Sequence, residues 1–551
     1  FDMTSAKSCK YPVLFKKGPY TGDLTCIKTI DFDIANGLSL VIAGCGPNVY
    51  IHDISSGAHL CEAQVFNGHR IHGAYFIKLP RNDFKSTEST SMSCQEDRDS
   101  LSRNEAVLLF HGDRHLSFFL LTVTSNRQSQ VAASLQRLSV PFTALDSWVL
   151  TSHFEILPTG SSHTSSPCCS LVDDQGHRRL DAVVVLGLCS SDVQLWIVSL
   201  VLPPSFSSSS FPLSSHPSSS HPSSRPSSSS PPPMLLGSFS CELRALLSAV
   251  ALLVDWIPLR DAKGGREIRE GDDKKGSSVR IVVVAGTFLN QNIIWMTPTI
   301  QLPPSPLSIS GCPCTPSPPC PVWKHLEGHQ GCVFYFSVSD GSSSPSSSFF
   351  PSSSSSLPAL VPSVSNDLSR PRRITIISAS DDRSARVWNL SLDSDPNQLS
   401  SNDPPSNDPP SNDLPSNNLP SNQPSPQHPI SNGQLTVPHA AFPHRAQATQ
   451  ILWGHGCRVW WCDVYGNLAV TGSEDCTAAL WDCTNGKRLA VLKGHIGRGI
   501  WRGALLPYKR LLCTAGADGT VKFWPLGDWI PSVTKLNRLL SCTAGAEGDR
   551  R

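Results

Sequence analysis

GHGCRVWWCDVYGNLAVTGSEDCTAALWDCTNGKRLAVLKGHIGRGIWRGALLPYKRLLCTAGADGTVKFW fills residues 454–524 and carries one pattern twice. Gly454-His455 is followed by Asp475 and, six residues later, by Trp481. Gly494-His495 is followed by Asp518 and, again six residues later, by Trp524. The copies lie 40 residues apart at the His and 43 apart at the Asp and the Trp. A third, stretched copy precedes them: Gly328-His329, then Asp382 and Trp388. Short runs of Val, Ile, Leu and Ala bounded by Gly, Ser and Asp lie between these marks and read as strands, not helices.

A period near 40 with Gly-His and Trp-Asp marks predicts an all-β fold, a β-propeller of WD repeats. Each blade of such a ring is a four-stranded antiparallel sheet. In Thr471-Gly472-Ser473-Glu474-Asp475, the Asp falls in the tight turn between two inner strands. Buried there without partners it would cost roughly 1–3 kcal/mol. The Gly-His imidazole supplies one N–H, and a hydroxyl on the second strand relays to the Trp indole. Ser378, Thr471 and Thr514 occupy that relay place in the three copies. His329, His455, His495 and the three Asp therefore read as a repeated structural network. A catalytic His–Asp reading is the minor alternative, because such pairs would be buried and repeated identically.

Upstream, four more blade-sized segments follow once insertions are set aside. They are Leu38–Gly44 with Val49–Ile54, then Gly68–Val123, Ala144–Leu200 and Leu243–Met296. With the three clear repeats they predict seven blades over residues 22–528, closing a ring that leaves no open sheet edge. The insertions cover about 203–233, 303–320, 341–369 and 391–435 and are rich in Ser and Pro. Such tracts bury too little apolar surface to order themselves and read as disordered loops of a folded scaffold. Residues 529–551 read as a tail that either runs free or leads to a missing second propeller. The start at Phe1 instead of Met reads as either a fragment or an incomplete gene model.

The 551 residues carry a net charge of +1, so bulk electrostatic capture of nucleic acid is not expected. The apolar run Ala245–Val254 is too short to span a bilayer, and no membrane association is expected. No secretory signal is read at the start, and the nineteen Cys are expected as reduced thiols of a cytoplasmic protein. Cys462, Cys476, Cys483 and Cys513 are placed in strands as small buried hydrophobes. Cys312, Cys314 and Cys320 lie close together in a Pro-rich stretch. A solvated loop is the main reading and zinc the minor one, since no fourth ligand is near. His69 and His72 show an H-x-x-H spacing without the Glu of a zincin, so metal is again the minor reading.

Ala43-Gly44-Cys45-Gly46-Pro47 reads as strand-turn-strand, not as a dinucleotide loop, because a third Gly and a following helix are missing. No phosphate loop, nucleophile elbow or kinase motif set is present, so neither catalysis nor a cofactor or metal is expected. Arg458, Arg498 and Arg502 follow the last two Gly-His marks and are placed near one rim. They read either as contacts to phosphate or a partner carboxylate, or as local ion pairs and stacks on neighbouring Trp.

Gly-His-x-x-Arg-Val-Trp at 454–460, Gly-Ser-Glu-Asp-Cys at 472–476 and Gly-His-x-Gly-Arg-Gly-Ile at 494–500 resemble one WD-repeat family. It is the non-catalytic subunit of the tRNA 2′-O-ribose methyltransferase that modifies the wobble nucleotide. Residues 326–331 and 378–388 extend the likeness, with echoes at 44–49, 68–73 and 284–295. The resemblance implies a scaffold that binds a separate methyltransferase and helps place tRNA, by direct or indirect contact. It also implies a family of more than one propeller, of which this chain matches the first. The alternative is a generic adaptor, such as a ubiquitin-ligase substrate receptor. A propeller enzyme is the third and smallest reading.

Overall fold

The computed structural model describes residues 14–15, 24–33, 38–79, 102–125, 131–157, 170–172, 177–203, 230–257, 278–302, 317–340, 373–392, 445–507 and 509–527. These residues form seven antiparallel sheets arranged as a seven-bladed propeller. Blade one is Leu24–Asp33, Leu38–Cys45, Asn48–Asp53 and His59–Gln64. Blade two is Ile71–Lys78, Ser102–Gly112, His115–Ser125 and Val131–Leu138. The main strands of blade three are Val149–Ile156, Arg178–Leu188, Asp192–Leu202 and Met234–Ser240. Those of blade four are Leu247–Ile257, Ser278–Thr287, Asn292–Met296 and Val322–Glu327. Blade five is Val333–Asp340, Arg373–Ser380, Ser384–Ser391 and Gln450–Trp453. Blade six is Val459–Tyr465, Leu468–Ser473, Thr477–Asp482 and Arg488–Lys493. Blade seven supplies Ile500–Leu506, Leu511–Gly516 and Thr520–Pro525.

The first strand of each blade packs on the first strands of both neighbouring blades, and blade seven packs on blade one, so the cycle closes. Closure is also made by hydrogen bonds. Leu14–Phe15 adds a fourth strand to blade seven, with Leu14 opposite Val521 and Phe15 opposite Thr520. This strand lies ahead of the expected start at residue 22. Joining both chain ends in one sheet covers the edge that blade seven would otherwise expose.

The core lies between blades. Cys26, Ile30 and Ile42 of blade one pack with Ala74, Leu108 and Phe110 of blade two. Leu24, Ile27 and Val41 pack instead on Leu506, Cys513 and Phe523 of blade seven. One sheet thus uses alternate residues to bury both faces. The predicted turn at Gly46-Pro47 joins Leu38–Cys45 to Asn48–Asp53, and Gly46 adopts the positive φ of 56° that favours glycine.

All seven inner strands share a register shift at the same place. It falls between Leu24/Cys26, Ile71/Gly73, Val149/Thr151, Leu247/Ala249, Val333/Tyr335, Val459/Trp461 and Ile500/Arg502. A bulge inserts one residue and re-aims its side chain. The inserted residues are Thr25, His72, Leu150, Ser248, Phe334, Trp460 and Trp501. They ring one end of the central channel.

Several expectations need correction. The stretch 303–320 is not wholly a loop insertion. Cys320 is buried, and its N–H donates to Ser240 O at 2.7 Å while its carbonyl accepts from Glu242 N at 2.9 Å. Its backbone forms an isolated parallel β-bridge with that of Cys241, so it does not sit in a solvated Cys cluster; Cys312 and Cys314 lie outside the described residues. At the edge of 203–233, Ser230 is buried and its hydroxyl oxygen accepts from Val201 N. Ser391 ends a strand of blade five. Residues 203, 231–233, 317–319 and 392 are also described; the remainder of these insertions, with 341–369 and 529–551, lies outside the described residues. Cys476 is in a turn with a φ of 66°, not in a strand, and Cys483 follows one. Cys462, Cys483 and Cys513 are buried as expected, and burial pushes the Cys483 thiol up to about 12. The cysteines among the described residues are free thiols.

Candidate functional site

The repeated marks converge as hydrogen-bonded chains in blades six and seven. Trp481 Nε1–H donates to Thr471 Oγ1 at 2.8 Å, and that hydroxyl lies 2.7 Å from His455 Nε2. His455 Nδ1 lies 2.9 Å from Asp475 Oδ2. An ionised carboxylate only accepts, so Nδ1 carries the imidazole proton and Nε2 accepts from the threonine. Blade seven repeats this with Trp524 to Thr514 at 2.8 Å, Thr514 to His495 at 2.8 Å and His495 to Asp518 Oδ2 at 3.0 Å. Each carboxylate also accepts backbone N–H groups: Gly456 and Thr477 on Asp475, Ile496 and Thr520 on Asp518.

Burial by itself would raise the carboxyls of Asp382, Asp475 and Asp518. Hydrogen bonds from the partner His and neighbouring donors outweigh it and hold all three well below the ordinary carboxylate range. Burial also lowers His329, and the Asp382 hydrogen bond offsets this only in part. The His side chains are buried, the Asp side chains are partly exposed, and each pair is hydrogen-bonded.

Blade five departs from the pattern. His329 bonds to Asp382 at 2.7 Å and to Ser378 at 2.6 Å, but the Trp388 indole N–H is buried without a partner. The expected relay from Ser378 to Trp388 is therefore absent. The γ-methyl of Thr restricts χ1 and aims the hydroxyl between imidazole and indole, whereas Ser lacks that constraint and serves the imidazole alone.

The three arginines separate. Arg458 Nε lies 3.1 Å from Asp381 on blade five and 3.3 Å from Glu474 on blade six, and its guanidinium stands 5.8 Å from the Trp460 ring centre. It therefore makes both the local ion pair and the Trp stack, while half its side chain stays exposed. Arg498 is exposed on the loop before Ile500–Leu506. Arg502 is not at the rim. It donates to Trp501 O at 2.8 Å and lies 5.3 Å from the ring centre of Tyr335, two blades away. That contact crosses the inner edge of blade six, so the guanidinium occupies the central channel. The bulge moves it there, and spacing in the sequence carries no sign of a bulge.

The same bulges build a feature that sequence reasoning missed. Trp460 and Trp501 stack at 4.8 Å with planes 25° apart, and Phe334 lies 4.4 Å from Trp460. Three neighbouring inner strands thus place an aromatic row at the channel mouth, beside Arg458. In blades one and four the bulged hydroxyls turn into the seam: Thr25 donates to Ile71 O, and Ser248 to Val333 O at 2.7 Å. Neither composition nor spacing marks these positions, because the bulge changes register alone.

Five large apolar side chains are exposed on loops at this end of the ring: Trp148 (52%), Leu246 (64%), Phe288 (56%), Leu289 (76%) and Ile496 (71%). Trp148 and Leu246 immediately precede inner strands, and Phe288 and Leu289 cap the turn between the second and third strands of blade four. Leu246 and Phe288 adjoin, with the Phe288 N–H donating to Leu246 O at 3.2 Å.

His69 and His72 share one partner, with His69 Nδ1 3.0 Å from Asp113 Oδ2 and His72 Nε2 2.8 Å from Asp113 Oδ1. His69 is exposed and stacks on His115 at 4.4 Å. Among the described residues no group of three or more His, Cys, Asp or Glu side chains is placed to hold a metal ion, and no helix is long and apolar enough to cross a membrane.

The WD domain, G-beta repeat model matches residues 446–482 and 486–525. Over 94 residues the chain is 32% identical to the tRNA (34-2'-O)-methyltransferase regulator WDR6 of Homo sapiens, covering 17% of this chain and 8% of that protein. The same figures hold for the Bos taurus protein. Over 61 residues it is 39% identical to eukaryotic translation initiation factor 3 subunit I of Debaryomyces hansenii, covering 11% of this chain and 17% of that one. The chain thus aligns with about 8% of the length of the regulators it matches. The computationally designed Ika8 protein aligns with a TM-score of 0.38 and 11% identity over 93% of this chain and 99% of that chain. The matched repeats include the Asp475–Trp481 and Asp518–Trp524 networks, and with the seven sheets they make this chain a WD-repeat β-propeller protein.

Proposed function

We propose that this chain is a non-catalytic scaffold in the cytoplasm that binds a tRNA 2′-O-ribose methyltransferase and helps position tRNA for methylation of the wobble nucleotide. The likeness to the tRNA (34-2'-O)-methyltransferase regulator over 94 residues carries this reading. Two physical features support it. The His groups of the repeats are buried, and they and their partly exposed Asp partners are engaged in structural hydrogen bonds. The exposed apolar residues Trp148, Leu246, Phe288, Leu289 and Ile496 give the enzyme a face on which to dock, and orienting a bound substrate lowers a barrier without a catalytic group on the scaffold.

Purification of the tagged chain with its copurifying proteins and small RNAs tests the reading. A methyltransferase recovered with tRNA, together with loss of wobble ribose methylation on depletion, is the expected result. Leu246→Asp with Leu289→Asp should abolish that recovery and leave the fold intact, because both side chains are exposed. A second reading, a generic adaptor, draws on the 39% identity to an initiation factor subunit. Ligase subunits or other assemblies recovered with unchanged methylation would favour it and exclude the tRNA role.

A further inference from the structure

Blade two borders a cavity that lies apart from the networks of blades five to seven. It holds about 570 Å³ and lies between the segment after the outer strand of blade one and the third and fourth strands of blade two. Val65, Phe66, Phe118 and Leu138 line it and are buried, so they give it apolar walls. His69, His115, Arg137 and Ser139 border the same space. Sites for small molecules measure roughly 300–1,000 Å³ and join apolar walls to a few placed polar groups.

Two of the bordering polar groups are not fully used. The Arg137 guanidinium stands 5.5 Å from the ring centre of Phe119, its register partner, and Nη2 donates to Val65 O. One carbonyl engages one N–H and leaves the charge and the other donors over. Among the described residues Arg137 has no ion pair. The nearby carboxylate of Asp113 holds His69 and His72 instead, at 3.0 and 2.8 Å. His115 stacks on His69 with ring centres 4.4 Å apart and planes 29° apart, and its Nδ1 is buried without a hydrogen-bond partner. Buried polar atoms are nearly always paired, so an orphan on a residue lining a cavity points to a bound group.

We infer that this cavity binds a carboxylate carried on a small apolar body, with the carboxylate on Arg137 and the body against Phe66 and Phe118. A planar guanidinium matches a carboxylate through two parallel N–H···O bonds. His115 Nδ1 offers a further hydrogen bond from the same lining. One cation suits one negative charge. A phosphate dianion would bring a second charge toward Asp113, whose carboxylate lies 3.0 Å from the lining residue His69. The shared chemistry is an aryl or alkyl carboxylate, whether a free acid or the carboxyl terminus of a peptide.

The test uses the full chain with 3-phenylpropionate and its neutral analogue 3-phenylpropanamide at constant pH and ionic strength. Titration calorimetry and melting temperature are read together. The expected result is saturable binding of the acid with a rise in melting temperature, and binding of the amide weaker by roughly tenfold or more. Arg137→Met keeps the apolar stem over Phe119 and should weaken the acid by a similar factor. Ser139→Trp fills the cavity from an exposed position, so it should abolish binding and leave the melting temperature of the free protein unchanged. That second variant decides the matter if loss of the Val65 contact unfolds Arg137→Met. The peptide Gly-Gly-Phe with a free carboxyl terminus separates the sources. Tighter binding of the peptide than of 3-phenylpropionate would identify a chain terminus as the ligand, and weaker binding would identify a free acid. Absence of saturable binding, equal affinity for acid and amide, or full affinity in a folded Arg137→Met or Ser139→Trp protein would overturn the inference.

Discussion

Blades one to four and blades five to seven use the same backbone register with different chemistry at one position. The second strand places Ser378, Thr471 and Thr514 opposite Phe336, Cys462 and Gly503 in the last three blades. The equivalent residues of the first four are Ala43, Phe110, Leu186 and Ala285, opposite Ile27, Ala74, Ser152 and Val250. Without a hydroxyl there, the chain from indole to imidazole cannot form. Trp295 keeps the Trp position of blade four, yet its indole N–H is buried without a partner. Trp196 of blade three turns to Gln194 at 3.1 Å instead. His69 keeps its Asp113 bond but swings outward, because Phe110 offers its other nitrogen nothing. The two halves fold alike because apolar burial between blades, common to all seven, dominates the energetics. The network adds specificity to three of them.

Acid gives the largest expected effect. Burial lowers partly buried His52 of blade one to about 4 and buried His111 of blade two to about 3, so the first half responds as pH falls below about 6.5. The three network Asp add their loss in the second half below about 4. The folded-state pKa values of Asp382, Asp475 and Asp518 are depressed, so their contribution is full above the unfolded value near 3.9 and is lost as pH falls below it. His329 is also depressed, by burial. It binds a proton more readily unfolded than folded, so its contribution is full above about 6.5 and declines as pH falls from there. Denaturant midpoints should therefore drop gently from pH 7 to 5 and steeply below about 4. In hydrogen exchange, the further loss of protection below about pH 4 should be larger in blades five to seven, which hold the three network Asp, than in blades one to four. A midpoint independent of pH, or a loss below about pH 4 that is larger in the first half, would break the comparison.

Thr471→Val comes next. It preserves shape and leaves both His455 Nε2 and Trp481 Nε1 buried without partners, at a cost of about 2–4 kcal/mol. Ser378→Ala strands only His329 Nε2 and should cost about 1–2 kcal/mol. Paired unfolding curves check the difference. Equal losses would mean that the indole bond adds nothing.

Ser378→Thr sharpens the same point with the opposite sign. The added γ-methyl should fix the hydroxyl between His329 and Trp388 and satisfy the indole, raising stability by about 1 kcal/mol. A shift of Trp388 fluorescence toward that of a hydrogen-bonded indole, with a higher midpoint, is the expected outcome. A lower midpoint would show that the seam between blades five and six has no room for the methyl.

The blade count, the order of the marks and two of the three networks were legible in the sequence because they rest on local spacing. Asp475 and Trp481 are six residues apart, and their strands are joined by one tight turn. Three features were not legible. Leu14–Phe15 is paired with a strand some five hundred residues away, and two residues carry no periodicity. The seven bulges shift register without changing composition, so Arg502 was placed at the rim while it stands in the channel. The apolar face draws on loops of blades three, four and seven, and only the closed ring brings Trp148, Leu289 and Ile496 to one end.

The smallest expected effect concerns the turn that holds the network Asp. Its following residue adopts left-handed φ in all three late blades: Arg383 at 67°, Cys476 at 66° and Gly519 at 68°. Only glycine takes that conformation freely. An L-residue pays about 1–2 kcal/mol there, and glycine returns about 0.5–1 of it through its greater freedom when unfolded. Arg383 is exposed, so Arg383→Gly should raise stability by about 0.5 kcal/mol. Cys476→Gly should gain less, because the Cys476 thiol contacts Gly497 O at 3.3 Å and that contact is lost. Denaturant midpoints of the two variants rank the terms directly. If Cys476→Gly gained more than Arg383→Gly, the thiol contact would be worth nothing and backbone strain alone would set the residue at this turn.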